Sequence, residues 1–253
     1  MPDRQHHRGP HPQDRRLFLD PRRLGGLQAA AGELAWLLGR RYAPEAALKL
    51  VGDHYQLPKR QRLALRRAVA APGSARRRRE KRLAGASLAE RTLLVDTFNQ
   101  LISVEVALAG GILLRGHDGA LRDLASVHGR YRTVEETARA LELIAARLEQ
   151  LQPREVRFLV DQVVSNSGKL AGLIRDLARQ RGAPWSAELV PSADPILKRS
   201  AHIVATSDST ILDAAAAWFD LAAATIESFV PGATVVDLDI PPPAAEGALG
   251  SAP

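Results

Sequence analysis

The chain has 253 residues, 45% of them apolar and 25% charged, enough to close a substantial core in one large domain or two smaller ones. It contains no cysteine, which excludes disulfides, thiolate metal sites and cysteine nucleophiles. Residues 1–91 carry 21 basic and 8 acidic side chains and residues 92–253 carry 14 and 20, a split of +13 against −6 within a formal net charge of +7. A basic first part suited to a polyanion therefore precedes an acidic part suited to cations or chemistry.

The opening "MPDRQHHRGPHPQDRR" is polar and interrupted by proline, with no apolar core of a signal peptide, so a cytoplasmic location is expected. Residues 1–23 read as a disordered basic arm, in which His6, His7 and His11 belong to a solvated tail rather than a metal tract. Residues 24–72 read as a basic helical domain. Leu27, Ala30, Ala31, Leu34, Ala35 and Leu38 recur at helical spacing before Gly39, and Pro44 opens a second helix with Ala46, Ala47, Leu50 and Val51 on its apolar face. After "GDHYQLP" comes "KRQRLALRRAV", where Lys59, Arg60, Arg62, Arg66 and Arg67 are candidate phosphate contacts. Two helices and a short turn suit a helix-turn-helix, and a small bundle with a solvated basic side accounts for the same pattern. Residues 73–90, with Arg76 to Arg79, read as an Arg-rich linker or exposed helix.

From residue 91 to 239 short Val- and Ile-rich runs, "TLLVD", "VRFLVD", "AELV", "HIVATSD" and "TVVDLD", alternate with helical patterns. Such alternation predicts an α/β domain with a mostly parallel sheet. Thr133 and Glu136 are spaced as a capping box for the helix at 133–151, and Gly182 suits the C-cap of a helix at 168–182. No window is long and apolar enough for a membrane span, since "AAAAWFDLAAATI" is broken by Asp220. Residues 240–253 read as a disordered tail.

In a parallel sheet, ligands bind beyond the carboxyl ends of the strands. Asp96, Asp161 and Asp208 end three predicted strands, so three carboxylates are expected at one edge, with Asp213 and Asp118 close enough in sequence to assist. Carboxylates that converge raise one another's pKa, and a hard divalent cation, Mg²⁺ or Mn²⁺, relieves the conflict. Asp is also a preferred helix N-cap, which accounts for any one of these acids alone. Ser165, Asn166, Ser167 and Lys169 in "VVSNSGK" form a polar loop feeding a helix start, suited to a phosphate or simply to a turn. His117 and His128 are acid/base candidates, for which a structural or surface role is the favoured alternative. No Gly-x-Ser-x-Gly elbow and no dinucleotide glycine fingerprint is present.

"LLVDTFNQLISVEVALAGG", "RGHDGALRDLASVHGRYR", "DQVVSNSGK" and "VATSDSTILD", behind "LKLVGDHYQLPKRQRLALRRA", resemble the prokaryotic family labelled domain of unknown function 434. Within the second half, V-D-x-x-N and T-S-D-S are similar to the PIN-like nuclease superfamily, its NYN branch in particular. That resemblance implies a PIN-like three-layer domain and a metal-dependent nuclease acting on RNA. It implies Asp96, Asp161 and Asp208 as ligands of Mg²⁺ or Mn²⁺, Asp213 beside them, and Asn99, Thr206, Ser207 and Asp118 in support. Thr97 stands where the NYN motif has glycine, and Thr210 where a second aspartate is common. The alternatives are a non-catalytic nucleic-acid-binding or regulatory protein, and a phosphoesterase acting on a small nucleotide.

Overall fold

The structure, a computed structural model, describes residues 8–125, 131 and 133–238. Its centre is strand β1 (Thr92–Asp96), five buried residues whose alternating side chains reach opposite faces. Parallel partners flank it: β4 (Glu155–Asp161) and β5 (Trp185–Val190) on one side, β6 (Ile203–Ala205) and β7 (Trp218–Phe219) on the other. The sheet order is β5-β4-β1-β6-β7, so the chain builds outward from β1, returns, and continues on the far side. The order reverses between β1 and β6, and at such a switch point the loops above the two strands part to leave a crevice.

Both faces of the sheet are covered. Leu93 and Val95 pack with α5 (Thr97–Leu108), α6 (Glu136–Leu151), α7 (Ser167–Arg181) and α10 (Leu221–Phe229). Leu94, Leu159 and Val204 pack with α8 (Ala193–Arg199) and α9 (Ser209–Ala214). Burial on both faces explains why these strands read as continuous apolar runs. Gly182 caps α7 with φ +58°, in the left-handed region that favours glycine, as its position in the sequence predicts.

A second sheet, not foreseen from the sequence, has the order β3-β2-β8. There β2 (Ile112–Arg115) pairs antiparallel with β3 (Leu121–Asp123) and parallel with β8 (Thr234–Asp237). The helices α1 (Pro21–Gly39), α2 (Pro44–His54) and α3 (Lys59–Ala68) lie on this sheet. Leu27, Leu34, Val51 and Leu65 share one core with Ile112, Leu114 and Val236. The helical segment is thus a layer over the second sheet rather than a reader held away from it.

Two expectations require correction and one alternative is resolved. Residues 8–23 are structured: Arg15–Leu19 form a π-helical turn, Leu17 and Phe18 enter the helical core, and buried Asp14 accepts from Arg60 Nη2 at 2.8 Å. Of the two readings of 73–90 the helix holds: α4 (Pro72–Glu80) is anchored by the buried Arg78, and a 3₁₀ turn follows at Gly85–Leu88. Thr133 and Glu136 form no capping box. Helix α6 begins at Glu136, and it is Thr137 Oγ1 that accepts from Val134 N, at 3.0 Å, while itself donating to the buried Glu105. The arm at 1–7, with His6 and His7, and His128 and the tail from 239 onward lie outside the described residues. Among the described residues no helix is long and apolar enough to cross a membrane.

Candidate functional site at the switch point

Asp96 closes β1 beside Thr206, the first residue after β6. Thr206 Oγ1 donates to Asp96 Oδ2 at 2.8 Å and also accepts from Asp208 N at 3.1 Å. One hydroxyl therefore joins the two strand ends across the reversal of strand order. The next residue, Ser207, donates from its backbone N and its Oγ to Asn99 Oδ1, at 2.8 and 3.1 Å. Its carbonyl accepts from Arg122 Nε at 2.8 Å.

The expected acids meet this crevice unequally. Asp208 and Asp161 line a cavity of about 420 Å³ together with Asn99, Ser207 and Ser209. Asp96 lies behind it, 9% exposed. Burial, helped by the charges of Asp161, Asp208 and Asp194 and opposed by the Thr206 hydroxyl, pushes Asp96 up from 3.8 to about 7. Asp161 is also raised, chiefly by burial. Each carboxylate has one oxygen engaged. Asp96 Oδ2 accepts from Thr206, Asp161 Oδ1 accepts from Ala193 N at 2.7 Å, and Asp208 Oδ1 caps α9 by accepting from Thr210 and Ile211. The second oxygen of each makes no hydrogen bond to another described residue. The cap reading and the convergence reading thus both describe part of the arrangement.

Asp213 and Asp118 are elsewhere. Arg78 reaches Asp213 through Nε and Nη2, both at 2.8 Å, and Asp118 through Nη1 at 2.9 Å. Arg122 grips Asp118 with both terminal nitrogens at 2.7 Å. Gly116 makes room for that guanidinium, since a Cβ there would stand 2.5 Å from Arg122 Nη1 and 2.8 Å from the Ala68 carbonyl. Burial opposes ionisation of Asp118, yet Arg122 and Arg78 outweigh it and hold its pKa down to about 2. Two acids expected to assist a cation are therefore the counter-ions of buried arginines, a contact no sequence spacing announces.

The basic residues of α3 divide in the same way. Arg66 and Arg67 line the cavity. Arg60 is tied to Asp14 and the Leu124 carbonyl, and Arg62 to the Leu57 carbonyl and Asp53. Lys59 sits in another cleft, beside Glu45 and Leu63. Arg67 donates to the Asp123 and Ala125 carbonyls at 2.7 and 2.9 Å, whereas Arg66 pairs among the described residues with Glu45 alone, both of them exposed. The polar loop stands after β4. Asn166, at φ +64°, donates to the Tyr131 carbonyl at 3.0 Å, Ser167 donates to the Gln162 carbonyl, and Ser165 and Lys169 are exposed. His117 is buried, its backbone N donating to the Ala68 carbonyl at 2.9 Å. Arg122, for which the sequence predicts no role, supports the Ser207 loop and forms part of the cavity wall.

Sequence comparison agrees with this two-part construction. The family model described as "Protein of unknown function (DUF434)" matches residues 26–81, and that described as "Domain of unknown function (DUF5616)" matches residues 85–224. The chain belongs to this DUF434/DUF5616 family. The first matched segment supplies Arg66 and Arg67, and the second supplies Asp161, Asp208, Asn99 and Arg122, so the cavity forms where the family's two segments meet. The chain is also similar to the uncharacterized protein MJ0935 of Methanocaldococcus jannaschii, 30% identical over 186 residues that cover 74% of this chain and 88% of that protein. No solved structure matches the chain.

The donors beside the crevice are hard oxygen ligands, the type preferred by Mg²⁺ or Mn²⁺. Among the described residues, however, no group of three or more His, Asp or Glu side chains stands close enough to hold a metal ion. Mg²⁺ commonly binds through one or two carboxylates and completes its shell with water and substrate phosphate, and this donor set fits that mode.

Proposed function

We propose that the chain is a divalent-cation-dependent nuclease acting on RNA, with a catalytic domain of the PIN-like kind that its V-D-x-x-N and T-S-D-S motifs resemble. One observation carries the reading: a buried carboxylate, Asp96, at the switch point of a parallel sheet, behind a cavity lined by Asp161 and Asp208. A cation accompanying the substrate phosphate would be held by one or two of the open carboxylate oxygens at this crevice, with water and the phosphate completing its shell. When bound, it would supply Lewis-acid charge at the scissile phosphoryl group. Arg66, the exposed guanidinium at the cavity, is suited to the phosphate backbone, and Arg67 adds positive charge to the same wall.

The test is cleavage of an end-labelled single-stranded RNA with Mn²⁺, comparing the wild-type chain with Asp96→Asn and Asp208→Asn. The reading expects cleavage that needs the cation and falls by two orders of magnitude or more in each variant. Equal activity in all three proteins sinks it. A second reading, a non-catalytic nucleic-acid binder, is favoured by the hydrogen bond each carboxylate already makes to a loop or helix start. It expects RNA binding that survives both substitutions, with no cleavage under any divalent cation.

A further inference from the structure

The side-chain amide of Asn99 has a fixed orientation, and that orientation determines what it offers the cavity. Ser207 N is a backbone donor, so the Asn99 atom 2.8 Å away must be the acceptor Oδ1. Gln100 gives an independent check. Its Oε1 accepts from the backbone N of Ala222 at 2.8 Å, which leaves its Nε2 as the donor to Asn99 Oδ1, also at 2.8 Å. With the Ser207 hydroxyl as a third donor at 3.1 Å, Oδ1 is saturated and unavailable to a cation. Nδ2 makes no hydrogen bond to a described residue, and Asn99 lines the cavity with Arg66 and Arg122.

We propose that Asn99, through Nδ2 and beside the guanidinium groups of Arg66 and Arg122, is a hydrogen-bond donor to a phosphoryl oxygen of the substrate, and that it takes no part in holding a cation. The proposal rests on the nuclease reading for its ligand class but separates the anion subsite from the carboxylate side of the cavity. Arg122 is rigid there, gripped by Asp118 with its side chain 7% exposed, while Arg66 is free to swing from the exposed Glu45. A phosphodiester oxygen takes up such donors, whereas a cation is repelled by them.

The experiment measures binding of a fluorescent single-stranded oligoribonucleotide in EDTA, so that neither cleavage nor a cation is involved. Asn99→Asp keeps an acceptor for Ser207 and Gln100 and replaces the NH₂ with an anionic oxygen. It is expected to weaken binding at least about tenfold, the weight of one charge-assisted hydrogen bond, with the melting temperature little changed. Binding by Asn99→Asp that is equal or tighter, or no binding by the wild-type chain in EDTA, overturns the proposal. Should Asn99→Asp fail to fold, the Asn99 NH₂ resonance of the wild-type chain replaces it. That signal is expected to shift as oligonucleotide is added, and an unmoved signal overturns the proposal. Absence of cleavage with Mn²⁺ would remove the nuclease reading while leaving these binding results interpretable.

Discussion

Thr206 Oγ1 donates to Asp96 Oδ2 at 2.8 Å, joining the ends of the two strands between which the sheet order reverses. That bond favours ionised Asp96, but burial and the neighbouring acids win, and its pKa stands at about 7. Between pH 3.8 and 7 the unfolded chain has released this proton and the folded chain has not, so this group's effect is to lower stability as pH rises through that window. The shift from 3.8 to about 7 corresponds, at about 1.4 kcal/mol per unit, to at most about 4 kcal/mol. Asp96→Asn removes the ionisation while keeping an acceptor for Thr206. Urea denaturation should find the variant more stable than wild type at pH 8, by roughly 2–4 kcal/mol, and nearly equal at pH 4. An equal increment at both values would contradict the account.

Asp118 has the opposite sign. Its pKa of about 2 lies below the ordinary 3.8, so its contribution is present above pH 4 and is lost as pH falls toward 2. Arg122→Met leaves a carboxylate 1% exposed with one of its two arginines gone, and should cost roughly 3–5 kcal/mol near neutral pH. The same measurement at pH 2.5 should show a smaller loss.

Arg60 and Arg66 lie on one helix and look alike in sequence, yet they should fail differently. Arg60→Gln strands the buried Asp14 and should lower stability by roughly 2–3 kcal/mol. Arg66→Gln loses only an exposed pair with Glu45, so the melting temperature should hold while RNA affinity falls and the slope of log affinity against log salt drops by about one. A melting temperature lowered as much by Arg66→Gln as by Arg60→Gln would refute the distinction.

Thr97 follows Asp96 at the start of α5, 2% exposed, with its Oγ1 buried and without a hydrogen-bond partner among the described residues. Thr97→Val removes that hydroxyl at nearly constant volume and should stabilise the chain by about 1 kcal/mol in thermal or urea denaturation. A loss of stability would mean that the hydroxyl has a partner, such as an ordered water.

The strand-end acids were legible because a strand buried on both faces is a continuous apolar run, and a carboxylate at its end stands out. The second sheet was not. β2 and β3 are four and three residues long, too short for a periodic signal, and β8 joins them from more than a hundred residues away. The start of α6 was misread because Thr137, rather than Thr133, serves the buried Glu105, a partner 32 residues away in sequence.

By itself the sequence determined the α/β alternation, the parallel sheet and the ending of two of its strands on Asp96 and Asp161, since these follow from local apolar patterning. Tertiary structure alone decided which charges are available. Arg60, Arg78 and Arg122 are held by buried carboxylates while Arg66 is not, and Asp118 and Asp213 are counter-ions while the other three acids each keep an open oxygen. The physical reason is that every arginine and aspartate carries the same charge in the sequence. What each can do depends on burial and on partners that only folding brings within hydrogen-bond reach.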